Sequence, residues 1–170
     1  MKLRNYIRNI PDFPSPGVLF KDITPLLKNA EAFSYAIHLL IGHYNTERFD
    51  AICGIESRGF LLAAPLALKL HKPLILIRKQ SKLPYETRQM GYELEYGTGI
   101  LEIHTDALEK DQNILIVDDL IATGGTMAAA IKLIELSGGI VAGLAVLAEL
   151  TELSGRQTLS DYNLFSLVRY

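Results

Sequence analysis

Ile114-Leu115-Ile116-Val117-Asp118-Asp119-Leu120-Ile121-Ala122-Thr123-Gly124-Gly125-Thr126 is the stretch whose reading decides the fold. Its first four residues are apolar and three are β-branched, as in a strand buried on both faces. Polarity then changes abruptly to two adjacent carboxylates. A loop of small residues follows and leads into Met127–Ile134, which reads as a helix. A strand ending in acids, beside a Gly/Thr loop that opens a helix, sets two chemistries together. The free N–H groups of a helix N-terminus suit a phosphate, and carboxylates suit hydroxyl groups or a metal held next to it. A sugar phosphate carries both groups. Adjacent strand residues point to opposite faces, so for Asp118 and Asp119 to reach one sugar the chain must already be turning at the strand end.

Other readings of this stretch fare worse. A Walker-B-type magnesium site needs a Gly-x-x-x-x-Gly-Lys-Ser/Thr loop, which occurs nowhere in the chain. A dinucleotide fingerprint fails because Gly97-Thr98-Gly99 is followed by Glu102 where the third glycine belongs. A plain structural turn explains the loop but not two acids closing a buried strand.

With 170 residues, 49% of them hydrophobic, and a mean hydropathy of +0.18, the chain is one ordered domain with a substantial core. The net charge of −2 and pI near 6.1 exclude a broad nucleic-acid surface. No apolar run approaches the roughly 20 residues of a membrane span, and Met1–Asn5 lacks a signal-peptide core. The single Cys53, within Ala51–Ile55, fits a buried free thiol and a reducing, cytoplasmic setting.

Leu3, Tyr6, Ile7 and Ile10 recur at helical spacing and predict a short opening helix; Pro11, Pro14, Pro16 and Gly17 then impose an irregular segment. Phe33 to Tyr44 carries a helical stripe. Ala51–Ile55, Gly59–Leu70 and Pro73–Ile77 read as strand, helix and strand, with a kink expected at Pro65. Residues 78–105 are polar and rich in Tyr, Gly and charge, and read as a hairpin or flap with arms at 93–96 and 99–103. A helix ending at Gly138-Gly139 and strands within Ile140–Leu147 and Leu164–Tyr170 complete the pattern. Strands alternating with helices give an α/β fold with a mainly parallel, twisted sheet flanked by helices. The four histidines match no metal spacing and read as surface or boundary residues.

In such sheets the site lies at the carboxyl ends of the strands. Glu56-Ser57-Arg58-Gly59 follows the first of them and offers a hydroxyl, a fixed cation and helix-start N–H groups for a second anion. Arg78, Lys79 and Lys82 follow the next, three cations within five residues. Glu93 and Glu102 read as solvated flap charges.

The 114–126 stretch resembles the signature of type I phosphoribosyltransferases. The resemblance extends over Pro11–Leu27, Glu56–Phe60, Arg78–Pro84 and Leu94–Gly97, and narrows to the branch of that family acting on adenine. It implies that fold, with an N-terminal hood (1–29) and a flexible flap (78–105). It also implies transfer of a phosphoribosyl group from phosphoribosyl pyrophosphate to adenine, giving AMP and pyrophosphate in purine salvage. By this resemblance Asp118 and Asp119 hold the ribose diol, and Ala122, Thr123, Gly124, Gly125 and Thr126 the 5′-phosphate. Ser57, Arg58, Arg78, Lys79 and Lys82 face the pyrophosphate, with Arg58 also counted among the catalytic residues. Glu95 is the general acid/base for the purine proton, and Tyr96 closes the flap. Leu19 and Lys21 offer backbone groups to adenine and Phe20 stacks on it; Lys21 stands where many members carry Arg, whose planar group stacks as an ammonium cannot.

The resemblance further implies Mg²⁺ as cofactor, held through substrate and water with no direct protein ligand, and a homodimer. A phosphoribosyltransferase for hypoxanthine, guanine or xanthine is the nearest alternative, because a base read by backbone groups leaves no residue code. A regulator on the same fold, binding without turnover, typically adds a DNA-binding domain. This chain has neither the length nor the basic balance for one.

Overall fold

A computed structural model describes residues 1–44, 48–94 and 97–170. A 3-10 turn at Leu3–Tyr6 leads into an antiparallel hairpin of β1 (Arg8–Pro11) and β2 (Leu19–Asp22), paired from Arg8↔Asp22 to Pro11↔Leu19. The opening helix expected from Leu3, Tyr6, Ile7 and Ile10 is therefore a single turn. Ile7 is already extended and Ile10 pairs with Phe20. Pro11 explains the difference, because its ring disfavours helical geometry in the residue before it. Between the arms, Gly17 adopts φ +86° and donates its N–H to Asp12 Oδ1 at 2.7 Å.

The chain continues through α1 (Thr24–Lys28), α2 (Ala30–Tyr44), β3 (Ala51–Ile55), α3 (Gly59–Leu70) and β4 (Leu74–Lys79). After β5 (Thr87–Leu94) and β6 (Gly97–His104) come β7 (Asn113–Ile121), α4 (Gly125–Leu136) and β8 (Ile140–Glu149). A 3-10 turn (Thr151–Leu153), α5 (Gly155–Thr158) and β9 (Leu164–Arg169) follow. Among the described residues, seven strands form one sheet in the order β5-β6-β4-β3-β7-β8-β9. From β4 to β9 the neighbours are parallel, and the β5–β6 hairpin joins antiparallel at the β4 edge. The α/β class and mainly parallel sheet expected from sequence are borne out. α3 runs from Gly59 to Leu70 as one helix with Pro65 inside.

β7 shows why its sequence is apolar without alternation. Leu115 and Val117 pack into one core with Leu40, Leu62 and Leu66 of α2 and α3, whereas Ile114 and Ile116 pack into the other with Ile131 and Ile134 of α4. Both faces are covered, so every position is apolar. Cys53 is free and fully buried in the second core. Among the described residues no helix is long and apolar enough to cross a membrane.

The turn expected at Asp118-Asp119 does not occur. β7 continues to Ile121, held by β8 through Asp118↔Val146, Leu120↔Ala148 and Ile121↔Glu149. Its pairing with β3 stops at Gly54↔Val117. The acids therefore lie beyond the reach of β3 while the strand stays straight, and their side chains keep the alternation of the strand.

Candidate active site

A cavity of about 930 Å³ opens where the loops after β7 and β8 meet the N-terminal hairpin. Asp118 and Ala122–Thr126 form one wall, Leu19, Phe20 and Lys21 of β2 a second, and Arg58 reaches in from the start of α3. Leu150, Glu152, Leu153 and Tyr170 supply the remaining side. The end of the chain thus helps to build the site. The crossover from β8 to β9 returns beside the 122–126 loop, and Thr158 Oγ1 donates to the Thr123 carbonyl at 3.1 Å. Gly155 makes this approach possible: a Cβ there would collide with the Ala122 carbonyl oxygen and come within 2.9 Å of Ile121 Cγ1. A glycine just after an apolar strand was the available sequence signal, but only the fold names its neighbour.

The 122–126 loop is built for an anion. Gly124 caps α4 with φ +90° and supplies no side-chain hydrogen bond, so the first N–H groups of the helix face the cavity without a protein cap. The first helical bond there runs from the Ala128 N–H to the Gly124 carbonyl at 2.9 Å. A side chain at position 124 would be strained by its φ and crowd the Gly155 carbonyl at 3.0 Å.

The two acids divide between the faces of β7. Asp118 lines the cavity, and its Oδ1 accepts the Asp119 N–H at 2.8 Å. Burial, then the neighbouring Asp119 charge, push its carboxyl well above the usual carboxylate range. Asp119, 5% exposed, instead pairs with Arg58, Nη2 to Oδ2 at 3.0 Å. Burial raises its pKa too, opposed by that guanidinium. Gly59 lets α3 begin directly against this point, since a Cβ there would lie 2.8 Å from the Val117 carbonyl and 2.9 Å from Asp118 Oδ1. The Glu56–Ser57 peptide just before it is cis.

Arg58 ties the acids to the hairpin. Its Nη1 donates to the Lys21 carbonyl at 3.1 Å, and its guanidinium carbon lies 4.8 Å from the centre of the Phe20 ring. Phe20 also meets Phe13 edge-on at 5.1 Å. The Lys21 side chain is 6% exposed, and burial, then Arg4, lower its pKa.

Not every expected residue reaches the cavity. Ser57, Arg78, Lys79 and Lys82 are outside its lining. Arg78 is engaged elsewhere, with Glu56 Oε2 at 3.0 Å and the Lys82 carbonyl at 2.8 Å, and the Lys79 N–H also donates to Glu56. Glu56 thereby fixes the end of β4 and engages the Arg78 guanidinium, whereas its contact with Lys79 uses the backbone N–H alone. Glu102, expected to be solvated, is 3% exposed: it accepts the Ser81 N–H at 3.0 Å and the Gln89 amide at 2.8 Å, pinning the loop after β4 to the flap strand β5. Glu95 and Tyr96 lie outside the described residues, as do the side chains of Glu93 and Leu94. Among the described residues no group of three or more His, Cys, Asp or Glu could hold a metal.

A glycine-capped helix start beside a buried acid, under an aromatic hairpin at the carboxyl edge of a parallel sheet, is the frame of an enzyme that handles phosphorylated ribose. The phosphoribosyl transferase domain model matches residues 22–168. An adenine phosphoribosyltransferase of Chloroflexus aurantiacus is 54% identical over 168 residues, 99% of this chain and 97% of that one. The crystal structure of adenine phosphoribosyltransferase from Thermoanaerobacter pseudethanolicus superposes with a TM-score of 0.96 at 50% identity, covering 99% of this chain and 98% of that one. The Giardia lamblia enzyme complexed with 9-deazaadenine gives 0.95 at 33% identity, over 99% and 96% of the two chains. The chain belongs to the adenine phosphoribosyltransferase family.

Proposed function

We infer that the protein transfers the phosphoribosyl group of phosphoribosyl pyrophosphate to adenine, releasing pyrophosphate and forming AMP. The observation that carries this is one cavity holding three subsites: an uncapped helix N-terminus, the Asp118 carboxyl, and an aromatic-apolar hairpin. The N–H groups of the 122–126 loop bind the 5′-phosphate, and Asp118 accepts a ribose hydroxyl. Asp119, on the other face of β7, orders Arg58 beside the sugar through their ion pair. The purine lies between Phe20 and Leu19 on one side and the Leu150–Leu153 wall on the other.

Departure of pyrophosphate leaves an electron-poor anomeric carbon and puts charge on the leaving oxygens. Arg58, and Lys79 and Lys82 brought in by the flap, stabilise that charge. Glu95 takes the purine proton as the flap closes with Tyr96 and excludes water. Mg²⁺, when bound, neutralises charge on the pyrophosphate oxygens. The Asp118 carboxyl opens on the cavity, where it would meet a metal carried on substrate oxygens and water.

The 1–29 segment acts as the hood and 78–105 as the flap of one domain. Leu61 and Leu68 of α3 and Leu74 and Leu76 of β4 are exposed apolar side chains, and a second copy of the chain covers them in a homodimer. A reducing, cytoplasmic compartment fits the free Cys53.

The test is product formation from adenine, hypoxanthine, guanine and xanthine with phosphoribosyl pyrophosphate and Mg²⁺. AMP from adenine alone supports the assignment; turnover of another base in preference to adenine, or binding without turnover, overturns it. Glu95→Gln lowers kcat by about 10²- to 10⁴-fold if the proton role is right.

A further inference from the structure

Lys21 carries a buried charge that, among the described residues, no carboxylate pairs. Its ammonium donates to Asn9 Oδ1 at 2.7 Å and stands 3.8 Å from the centre of the Tyr170 ring. The Arg4 guanidinium lies 4.5 Å from the same centre. The two cations repel each other across the ring; Glu152 offsets part of this at Lys21, exposed Arg4 donates to the Arg169 carbonyl, and the negative ring face adds to both. Tyr170 also lines the cavity.

Tyr170 is held from several directions. Its N–H donates to the Glu149 carbonyl at 2.9 Å, and its carbonyl accepts from the Thr151 N–H at 3.0 Å and from the Thr151 hydroxyl. Glu149 is in turn locked by Arg156, Arg169 and Ser166. By contrast the phenolic oxygen is buried and, among the described residues, has no hydrogen-bond partner. The backbone is fixed, the hydroxyl is unused, and the ring face carries the contacts.

We propose that Tyr170 is a positioning residue for the base: its ring holds the Lys21 ammonium, and through it strand β2, at the height where Leu19 and Phe20 meet the purine. This rests on the reading that the base binds beneath β2. Lys21 occupies the second residue after Leu19, on a four-residue strand paired only with β1. A short two-stranded ribbon has little rigidity of its own. An anchor at Lys21 therefore sets the approach of the whole strand, while the phosphate end of the cavity has its own support from Gly155 and Thr158.

The experiment varies adenine and phosphoribosyl pyrophosphate separately in steady-state kinetics of the full-length protein. Tyr170→Leu removes the ring face, and the expected result is an adenine KM raised about tenfold, between the worth of an exposed and of a fully desolvated cation–π contact. KM for phosphoribosyl pyrophosphate stays within about twofold. Tyr170→Phe keeps the face, recovers most of the lost adenine affinity, and melts no lower than the parent because it deletes an unpartnered hydroxyl. Lys21→Met raises adenine KM as well, and adding Tyr170→Leu to it brings little further change. An unmoved adenine KM in Tyr170→Leu, a parallel rise in both KM values, a failure of Phe to rescue, or full additivity with Lys21→Met each overturns the proposal. A parent that never turns adenine over sinks the base-site reading along with it, whereas normal parental turnover confines the failure to Tyr170.

Discussion

Asp118→Asn separates the cost of the site from its use. In the ligand-free protein Asp118 is partly exposed on the cavity wall, stands next to a second carboxyl and, among the described residues, forms no ion pair. Its carboxyl binds protons more tightly folded than unfolded, because burial and Asp119 both disfavour the charge. A carboxyl raised in the folded state makes that state take up protons above the unfolded pKa of about 4. Stability therefore falls as pH rises through this window. Asparagine keeps the carbonyl that accepts the Asp119 N–H and cannot ionise. Relief of about 1–2 kcal/mol is expected at pH 8, an increment common for substitutions that relax a functional site. In a chain of 170 residues this raises Tm by about 2–8 °C. The gain shrinks towards pH 4, where the parent is protonated as well.

Binding moves the other way. Loss of one charge-assisted hydrogen bond to a ribose hydroxyl removes about 1.5–3 kcal/mol, so affinity for phosphoribosyl pyrophosphate drops roughly 10- to 150-fold. Melting curves at pH 4, 6 and 8, with and without phosphoribosyl pyrophosphate and Mg²⁺, read both effects. The variant should melt above the parent alone and below it at saturating ligand, since ligand raises Tm in proportion to affinity. A variant that melts lower at every pH, or binds as tightly as the parent, would falsify the reasoning.

Gly155→Ala forces the Ala122 carbonyl and α5 apart; it should cost about 2–4 kcal/mol in urea unfolding and raise KM for phosphoribosyl pyrophosphate more than that for adenine. Glu149, hydrogen-bonded chiefly by Arg156, has its pKa lowered to about 2, so it adds about 2–3 kcal/mol above its unfolded pKa near 4.5. That contribution is lost as pH falls from about 4.5 to 2, and Glu149→Gln should flatten this limb of the stability–pH curve. Turnover should vanish with chelator and return with added Mg²⁺, while the Tm of the ligand-free protein stays unmoved; a chelator-sensitive Tm would reveal a resident metal instead.

The local chemistry of the chain determined a good deal without its fold. Period and composition located β3, α3, α4 and β8, because a strand between two helical layers must be apolar throughout and a helix must keep an apolar face. The small residues of 122–126 marked an anion loop, because only a glycine at 124 accepts the φ of the cap. What the sequence could not carry were relations between distant residues. That β7 runs on past its acids depends on β8 continuing beside it while β3 stops, a matter of register between strands. That Glu102 is buried follows from the antiparallel docking of β6 on β4, where Arg78 faces Glu102 across the ladder, and Arg78 is tied to Glu56 because β3 and β4 end side by side in parallel register. Tyr170 comes beside Lys21 only because β9 closes the sheet next to β8 and delivers its end under the hairpin. An isolated residue states what it can do; the residues it meets are set by the crossovers that bring remote segments together, and those encounters decide which charges are spent on structure and which remain for a ligand.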